Sequence, residues 1–316
     1  MKYRFLGRNG PQVSAVSLGN WQTMGDRLDC KASAELVACA IESGINFFDT
    51  ADVYADGAGE RALGMALAQH PHDAYLVGSK CFFPNKSLGS SGGLSRSHIV
   101  ASVEQSLRNL RRERLDLMQC HRFDPDTPLE ETISAFDSLI RAGKLRHWGV
   151  SRWSPLQLSE AQAICDATAA PRPCVNQYFY NLFSRQIETD LVPFCRETGC
   201  AIAAYSPLAQ GILTGKYGGG QIPPGSRASD HSARQTMWDL QEPKLRIAAR
   251  IATIASGIGV TPAQLALAWC LRHDITATVL VGASRPEQVR ENAAAADLLL
   301  DEELLERVED ALRLGT

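Results

Sequence analysis

The sequence predicts an α/β chain folded as a (β/α)8 TIM barrel, with a β-hairpin ahead of the barrel and an extra helix at its C-terminus. Three observations lead there. Short runs rich in Val, Ile, Leu and Phe alternate with amphipathic helical runs along the 316 residues, and short, uniformly apolar runs are the mark of strands covered on both faces. Eight such runs occur, each followed by a helical pattern, with no linker-like break between them, so residues 1–316 read as one barrel domain. No Gly-x-Gly-x-x-Gly follows the first strand, which counts against the alternative, an open doubly wound sheet. The nearest match, Gly257-Ile-Gly259-Val-Thr-Pro262, joins two helical patterns and reads as a helix stop.

In chain order, Tyr3–Phe5, a turn at Asn9-Gly10-Pro11 and Val13–Ala15 form the hairpin. The barrel strands follow at Val16–Leu18, Ile45–Asp49, Tyr75–Ser79, Leu115–Cys120, His147–Ser151, Cys174–Gln177, Ala201–Tyr205 and Thr278–Val281. Helices are expected at Ala34–Ser43, stopped by Gly44, at Ser97–Arg108, at Leu129–Arg141, stopped by Gly143, and at Pro286–Ala296. Thr127-Pro128-Leu129-Glu130 reads as an N-cap, a proline at the first helical position and an acid in the first turn. A barrel needs roughly 250 residues. The surplus falls in the hairpin, in long connections at Lys80–Ser97 and Ser206–Thr236, and in a C-terminal helix near Asp301–Leu312. Connections longer than about 15 residues are usually functional or disordered, which marks those two connections for attention.

Composition narrows the function classes. The chain is 45% hydrophobic and 21% charged, with a net charge of −3 and a pI near 6.2. No Lys/Arg cluster is dense enough to follow a nucleic-acid backbone. The N-terminus has no apolar segment behind its basic residues, no apolar run approaches a membrane span, and Leu314-Gly315-Thr316 carries no lipidation box. A soluble, cytoplasmic protein is expected. The nine cysteines are scattered without a C-x-x-C and read as reduced, structural thiols. Asn85-Lys86-Ser87 is a chance glycosylation match, given no secretory signal.

In such a barrel the chemistry sits where strands end. Asp49 ends the second strand, with Tyr54 shortly after it; the third runs into Lys80 and the fourth into His121. Alone, each has a bland reading: a helix cap, a solvated charge, a satisfied hydrogen-bonder. Together on one face they suit one task. A tyrosine can protonate a developing alkoxide if its pKa, ordinarily about 10, comes down. An ammonium about 4 Å away at an effective dielectric of about 20 contributes on the order of 4 kcal/mol, or about three pKa units. Lys80 is expected to supply this, Asp49 to hold Lys80 charged and aimed, and His121 to donate to the carbonyl oxygen. The set contains no nucleophile, so the reducing equivalent, a hydride, has to come from outside the protein.

Gly44-Ile-Asn-Phe-Phe-Asp-Thr-Ala-Asp-Val-Tyr54, Asp116-Leu-Met-Gln-Cys-His121-Arg-Phe-Asp-Pro, Trp148-Gly-Val-Ser-Arg-Trp-Ser154, Tyr205-Ser-Pro-Leu-Ala-Gln-Gly-Ile-Leu-Thr-Gly-Lys216 and Val281-Gly-Ala-Ser-Arg-Pro-Glu-Gln-Val-Arg-Glu-Asn292 resemble the signatures of the aldo-keto reductases, in order and across the whole chain. Gly93-Leu-Ser-Arg96 and Ile222-Pro-Pro-Gly-Ser-Arg227 look like the branch of potassium-channel β subunits and their bacterial relatives. The resemblance implies a barrel that binds NADPH (NADP+) without a Rossmann domain and reduces a small-molecule carbonyl substrate. It implies Tyr54 as general acid with Asp49, Lys80 and His121 as its partners. It further implies Ser151, Arg152 and Gln177 at the nicotinamide carboxamide, Tyr205 stacked on the ring, and Trp21 covering the substrate side. Ser206, Pro207, Leu208, Gly211 and Lys216 would line the pyrophosphate. Gly282, Ser284, Gln288, Glu291 and Asn292 would hold the adenosine end, with Arg227 near the 2′-phosphate. The branch includes multimers, so a homo-oligomer stays open.

Two positions depart from that pattern: Tyr205 stands where the channel subunits carry Trp, and Gly225 replaces an aromatic residue. His121 stands where the compared channel subunits carry Asn, which favours a working reductase over an NADPH-holding interaction subunit. The start at Met1-Lys2-Tyr3, directly ahead of the hairpin, is read the same way. Other polar features have structural readings. Trp153 and Trp269 are expected in the core. His70-Pro71-His72 precedes a strand, on the face opposite the chemistry, so no metal site is expected there. Arg111-Arg112-Glu113-Arg114 reads as a solvated helix exit. Arg122 is expected to pair with Asp124, the alternative being an anionic substrate. Trp21, Phe82, Phe83, Tyr180 and Phe183 suggest an apolar pocket unless they pack in the core.

Overall fold

The computed structural model describes residues 1–229 and 240–313. A two-stranded antiparallel hairpin, β1 (Tyr3–Phe5) and β2 (Gln12–Ser14), precedes the barrel. The barrel then runs β3 (Val16–Gly19), α1 (Cys30–Glu42), β4 (Phe47–Asp49), α2 (Ala58–Leu67), β5 (Leu76–Cys81), α3 (Arg96–Leu110), β6 (Leu115–Cys120), α4 (Leu129–Arg141), β7 (Leu145–Ser151), α5 (Pro155–Thr168) and β8 (Val175–Phe179). It continues with α6 (Leu191–Thr198), β9 (Ala201–Tyr205), α7 (Glu242–Gly257), α8 (Pro262–Cys270), β10 (Thr276–Val281), α9 (Pro286–Ala294) and α10 (Glu302–Arg313). Strands β3 to β10 are all parallel and close on themselves, β10 pairing with both β3 and β9.

All eight barrel strands and the hairpin lie where the hydrophobic runs place them, within a few residues. The helix ends depart more, for local reasons. Helix α1 starts at Cys30 rather than Ala34, because the Asp29 side chain accepts from the Ala32 N–H and caps it. Thr127 is not the cap of α4: its hydroxyl donates to Asp124 at 2.7 Å and the cap falls on Pro128. Between α7 and α8 the chain stops as expected, and Thr261 with Gln264 forms a reciprocal capping box. Gly64 lets α2 lie against α3, since a Cβ there would fall 2.7 Å from backbone atoms of Asn109 and Leu110.

The core splits into two parts. The larger lies between strands and helices and includes Trp148, Trp153 and Trp269, each at most 1% exposed. The smaller fills the barrel's N-terminal end, where Leu6 and Val13 of the hairpin pack on Phe47, Leu117, Val175 and Ala203. The hairpin is thus a plug for the bottom of the barrel. A cavity of about 240 Å3 also opens at that end, lined by Arg8, Gln162, Arg172, Cys174, Gly199 and Cys200 and by none of Asp49, Tyr54, Lys80 and His121. His70 and His72 lie on this side as well, ahead of β5.

Further expectations are settled locally. All nine cysteines are unpaired and only Cys30 is exposed. Asn85 turns its side chain inward to accept from Ser87. Arg112 is not solvated: it pairs with Asp116 at 3.3 Å and covers the Tyr75 ring. Tyr180 is core, its ring tilted against Trp269 at 5.4 Å between centroids and its hydroxyl donating to Glu188. The connection expected at Ser206–Thr236 lies outside the described residues beyond Ser229, as does Leu314-Gly315-Thr316. No single helix among the described residues is long and apolar enough to cross a membrane.

Candidate active site

The strand ends bring Asp49, Tyr54, Lys80 and His121 together at the barrel's open mouth. Lys80 lies in β5, fully buried, and all three of its N–H donors are used. Its Nζ lies 2.6 Å from Asp49 Oδ2, 2.6 Å from the Thr50 carbonyl and 3.3 Å from the Tyr54 hydroxyl. The other Asp49 oxygen accepts from Gln177 at 2.8 Å and Gln119 at 3.3 Å. The tyrosine's loop is pinned to β5 by the Thr50 N–H on the Gly78 carbonyl and the Asp52 N–H on the Lys80 carbonyl. Behind it Glu60, wholly buried, accepts from Ser79 at 2.6 Å and Asn109 at 2.8 Å, tying α2, β5 and α3 together beneath the loop.

The electrostatics differ from the simple expectation for Tyr54. Burial raises its pKa above the ordinary phenol value, and Lys80 only partly offsets this, because Asp49 works against it. The phenol therefore stays protonated at neutral pH. Burial pushes the Lys80 ammonium down, but Asp49 and then Tyr54 outweigh it, so its charge is secured. Burial, then Lys80 and Arg122, hold His121 well below an ordinary imidazole, so it is neutral. Its Nδ1 is buried with no hydrogen-bond partner, beside the Tyr54 ring at 6.0 Å between centroids. A protonated phenol backed by a fixed cation, next to a neutral imidazole, can protonate and polarise an oxygen placed between them.

The other candidate residues lie at or beyond the C-terminal ends of strands β7 to β10. Ser151 and Arg152 end β7; the Ser151 hydroxyl and Arg152 N–H both donate to the Gln177 carbonyl at 3.0 Å. Arg152 adopts φ +61°, a left-handed conformation uncommon for a residue with a side chain. Tyr205 ends β9, half-buried, with its ring 5.4 Å from that of Phe179. Ser206, Ala209, Gln210 and Gly211 all have positive φ, and turns of this kind gather backbone N–H groups into anion cradles. Pro207 and Leu208 lie within that turn. Gly211 is required there, since φ is +100° and a Cβ would lie 2.8 Å from Lys216 Nζ. Gly282 and Ser284 are exposed beyond β10; the Ser284 N–H donates to Gln288 at 2.8 Å. On α9, Glu291 is half-buried, its carbonyl accepting from Gln264, and Asn292 is buried. Arg227 places its guanidinium 5.4 Å from the Trp21 ring centroid.

These residues fit a phosphate-bearing nicotinamide cofactor by their charge. Burial lowers the Lys216 pKa, and Arg227 and Arg285 lower it further; burial and then Arg27 do the same to Arg227. Among the described residues neither Lys216, Arg227 nor Arg285 has an acidic partner within 4.0 Å. Packed cations repelling one another call for an anion. Two contributors escaped the sequence reading. Gln119 was legible as a polar residue two positions before His121, hence on the same inward face of β6. Arg285 stands next to Ser284, in a stretch read only for its neighbours.

The comparisons agree. The sequence profile of the aldo/keto reductase family matches residues 15–313. A protein from Arabidopsis thaliana named "probable voltage-gated potassium channel subunit beta" is 37% identical over 319 residues, covering 99% of this chain and 97% of the relative. One of the same name from Oryza sativa subsp. japonica is 38% identical over 315 residues, 98% and 96%. A third, from Schizosaccharomyces pombe and also named for such a subunit, is 39% identical over 321 residues, 98% and 93%. That family is one of oxidoreductases that generally use NAD(P)H. With the barrel, the strand-end tetrad and a match over nearly the whole length, the chain belongs to the aldo/keto reductase family.

Proposed function

We propose that the protein reduces aldehydes, and some ketones, to alcohols at the expense of NADPH, with Tyr54 as the proton donor. The observation that carries this reading is the Tyr54 hydroxyl tied to Lys80, and Lys80 to Asp49, with the neutral imidazole of His121 beside the Tyr54 ring. When bound, NADPH supplies the hydride to the carbonyl carbon. Tyr54 gives its proton to the carbonyl oxygen, and Lys80, kept charged by Asp49, stabilises the phenolate left behind. His121 offers a neutral hydrogen-bond donor that fixes where the oxygen sits. Ser151, Arg152 and Gln177 would hold the carboxamide end, Tyr205 the ring face, Ser206 to Gly211 with Lys216 the pyrophosphate, and Arg227 the 2′-phosphate. Ser284, Gln288, Glu291 and Asn292 would hold the adenosine, and Trp21 would close the mouth. The unpaired thiols suit a reducing compartment such as the cytoplasm.

The test is NADPH oxidation followed near 340 nm with a panel of aldehydes, wild type beside Tyr54→Phe. Turnover that falls at least about 100-fold in the variant, with NADPH still bound, supports the assignment. Equal turnover in both rejects it. The names of the relatives favour a second reading, an NADPH-binding interaction subunit with little turnover. Tight NADPH binding without turnover, together with copurification of a membrane protein, would decide for it.

A further inference from the structure

Arg122 follows β6 directly after His121. Its Nη1 donates to the His121 carbonyl at 2.6 Å, and its guanidinium lies 5.4 Å from the Phe83 ring centroid. Phe83 in turn packs edge-on against His121, with centroids 4.9 Å apart. The cation is therefore held one aromatic ring away from the proton-donating pair. The expected partner, Asp124, is committed elsewhere. Its oxygens accept from the Leu94 N–H at 2.7 Å, the Asp126 N–H at 3.0 Å and the Thr127 hydroxyl at 2.7 Å. Among the described residues no carboxylate lies within 4.0 Å of Arg122.

The charged groups Arg122 does face make its position less favourable still. Burial lowers its pKa and Arg152 lowers it further, the Tyr205 and Tyr54 phenols working the other way. A half-buried guanidinium with most of its five donors unspent, beside a second cation, is unfavourable in the protein alone. The arrangement becomes favourable once an anion arrives, and a planar fork matches a carboxylate or phosphate.

We propose that Arg122 binds an anionic group at the far end of the substrate, so that the site selects short-chain carbonyl compounds carrying a carboxylate or a phosphate. This rests on the reductase reading and names its substrate class. With the carbonyl oxygen at Tyr54 and His121, the anion reaches past Phe83 to the guanidinium, which orients the carbonyl carbon as well as adding affinity.

The experiment compares matched substrates: butanal with succinic semialdehyde, and glyceraldehyde with glyceraldehyde 3-phosphate, in wild type, Arg122→Gln and Arg122→Lys. Wild type is expected to favour the anionic member by about 10- to 100-fold in kcat/KM, carried mainly by KM and weakened by salt. Arg122→Gln brings that ratio close to one, and Arg122→Lys restores part of it. Whichever pair shows the larger ratio separates carboxylate from phosphate. A wild-type ratio near one, or a ratio that survives Arg122→Gln, overturns the proposal. If no aldehyde is reduced, the reductase reading falls, and calorimetry on the NADP+-loaded protein decides this one. Saturable binding of succinate or inorganic phosphate, weakened about tenfold or more by Arg122→Gln, supports the anion site. Binding that is absent or insensitive to the substitution rejects it.

Discussion

The Arg227 guanidinium rests 5.4 Å from the centroid of the Trp21 indole, linking the long connection after β9 to the loop after β3 across the barrel mouth. Residues more than 200 positions apart thus share one face of the site. On the proposed reading, Arg227 is the cation that would distinguish a 2′-phosphate from a 2′-hydroxyl. Arg227→Ala is expected to weaken NADPH by about tenfold or more and NADH much less, a charge-assisted contact being worth about 1.5–3 kcal/mol. Dissociation constants for both cofactors check this; parallel losses contradict it.

Lys80 and Asp49 form a buried pair, and breaking one partner strands the other. Lys80→Met should lower turnover by about 10²- to 10⁴-fold and destabilise the fold by about 3–5 kcal/mol. Asp49→Asn/Lys80→Met should recover part of the stability and none of the turnover. Urea unfolding of the single and double variants measures the coupling.

His121 is held well below an ordinary imidazole by burial, Lys80 and Arg122. Turnover is therefore expected to be level between about pH 6 and pH 8, with no inflection near an unperturbed histidine value of about 6.5. His121→Gln should reduce kcat at every pH without altering the shape of that profile. An inflection near pH 6.5 that disappears in the variant would show that His121 acts as a cation.

Asp52, in the Tyr54 loop, is raised by burial and then by Glu60, from 3.8 to about 7. The folded state thus holds a proton that the unfolded chain has released. This contribution is whole below about pH 4 and declines as pH rises through 7, to a loss of about 4 kcal/mol. Asp52→Asn cannot ionise, so it should gain stability relative to wild type between pH 5 and pH 8. Thermal unfolding of both proteins at those two pH values reads the difference directly.

The fold was legible because a parallel barrel writes itself as repeated apolar runs, and because Tyr54, Lys80 and His121 fall at or just after their C-terminal ends. What resisted reading depended on contacts between distant segments. Arg122 and Asp124 stand two residues apart, yet Asp124 is taken by Leu94, from the connection after β5. The direction of the Tyr54 shift turned on burial, which spacing does not report, and on Asp49 offsetting its own lysine. Gln119 was missed because amides carry no charge signal, although its register on β6 marks it as inward. Helix starts moved where a side chain such as Asp29 reached a backbone donor ahead of the apolar pattern.

The hairpin plug closes the base of the barrel. Leu6 and Val13 admit no solvent from below, and Lys80 is sealed within the wall. On the proposed mechanism, substrate, cofactor and the proton that recharges Tyr54 would enter by the upper opening. On that mechanism, with substrate and cofactor filling that opening, reprotonation of the Tyr54 phenolate would wait for the alcohol to leave. Each cycle then takes up its proton late, coupling the acid's recovery to product departure instead of to bond making.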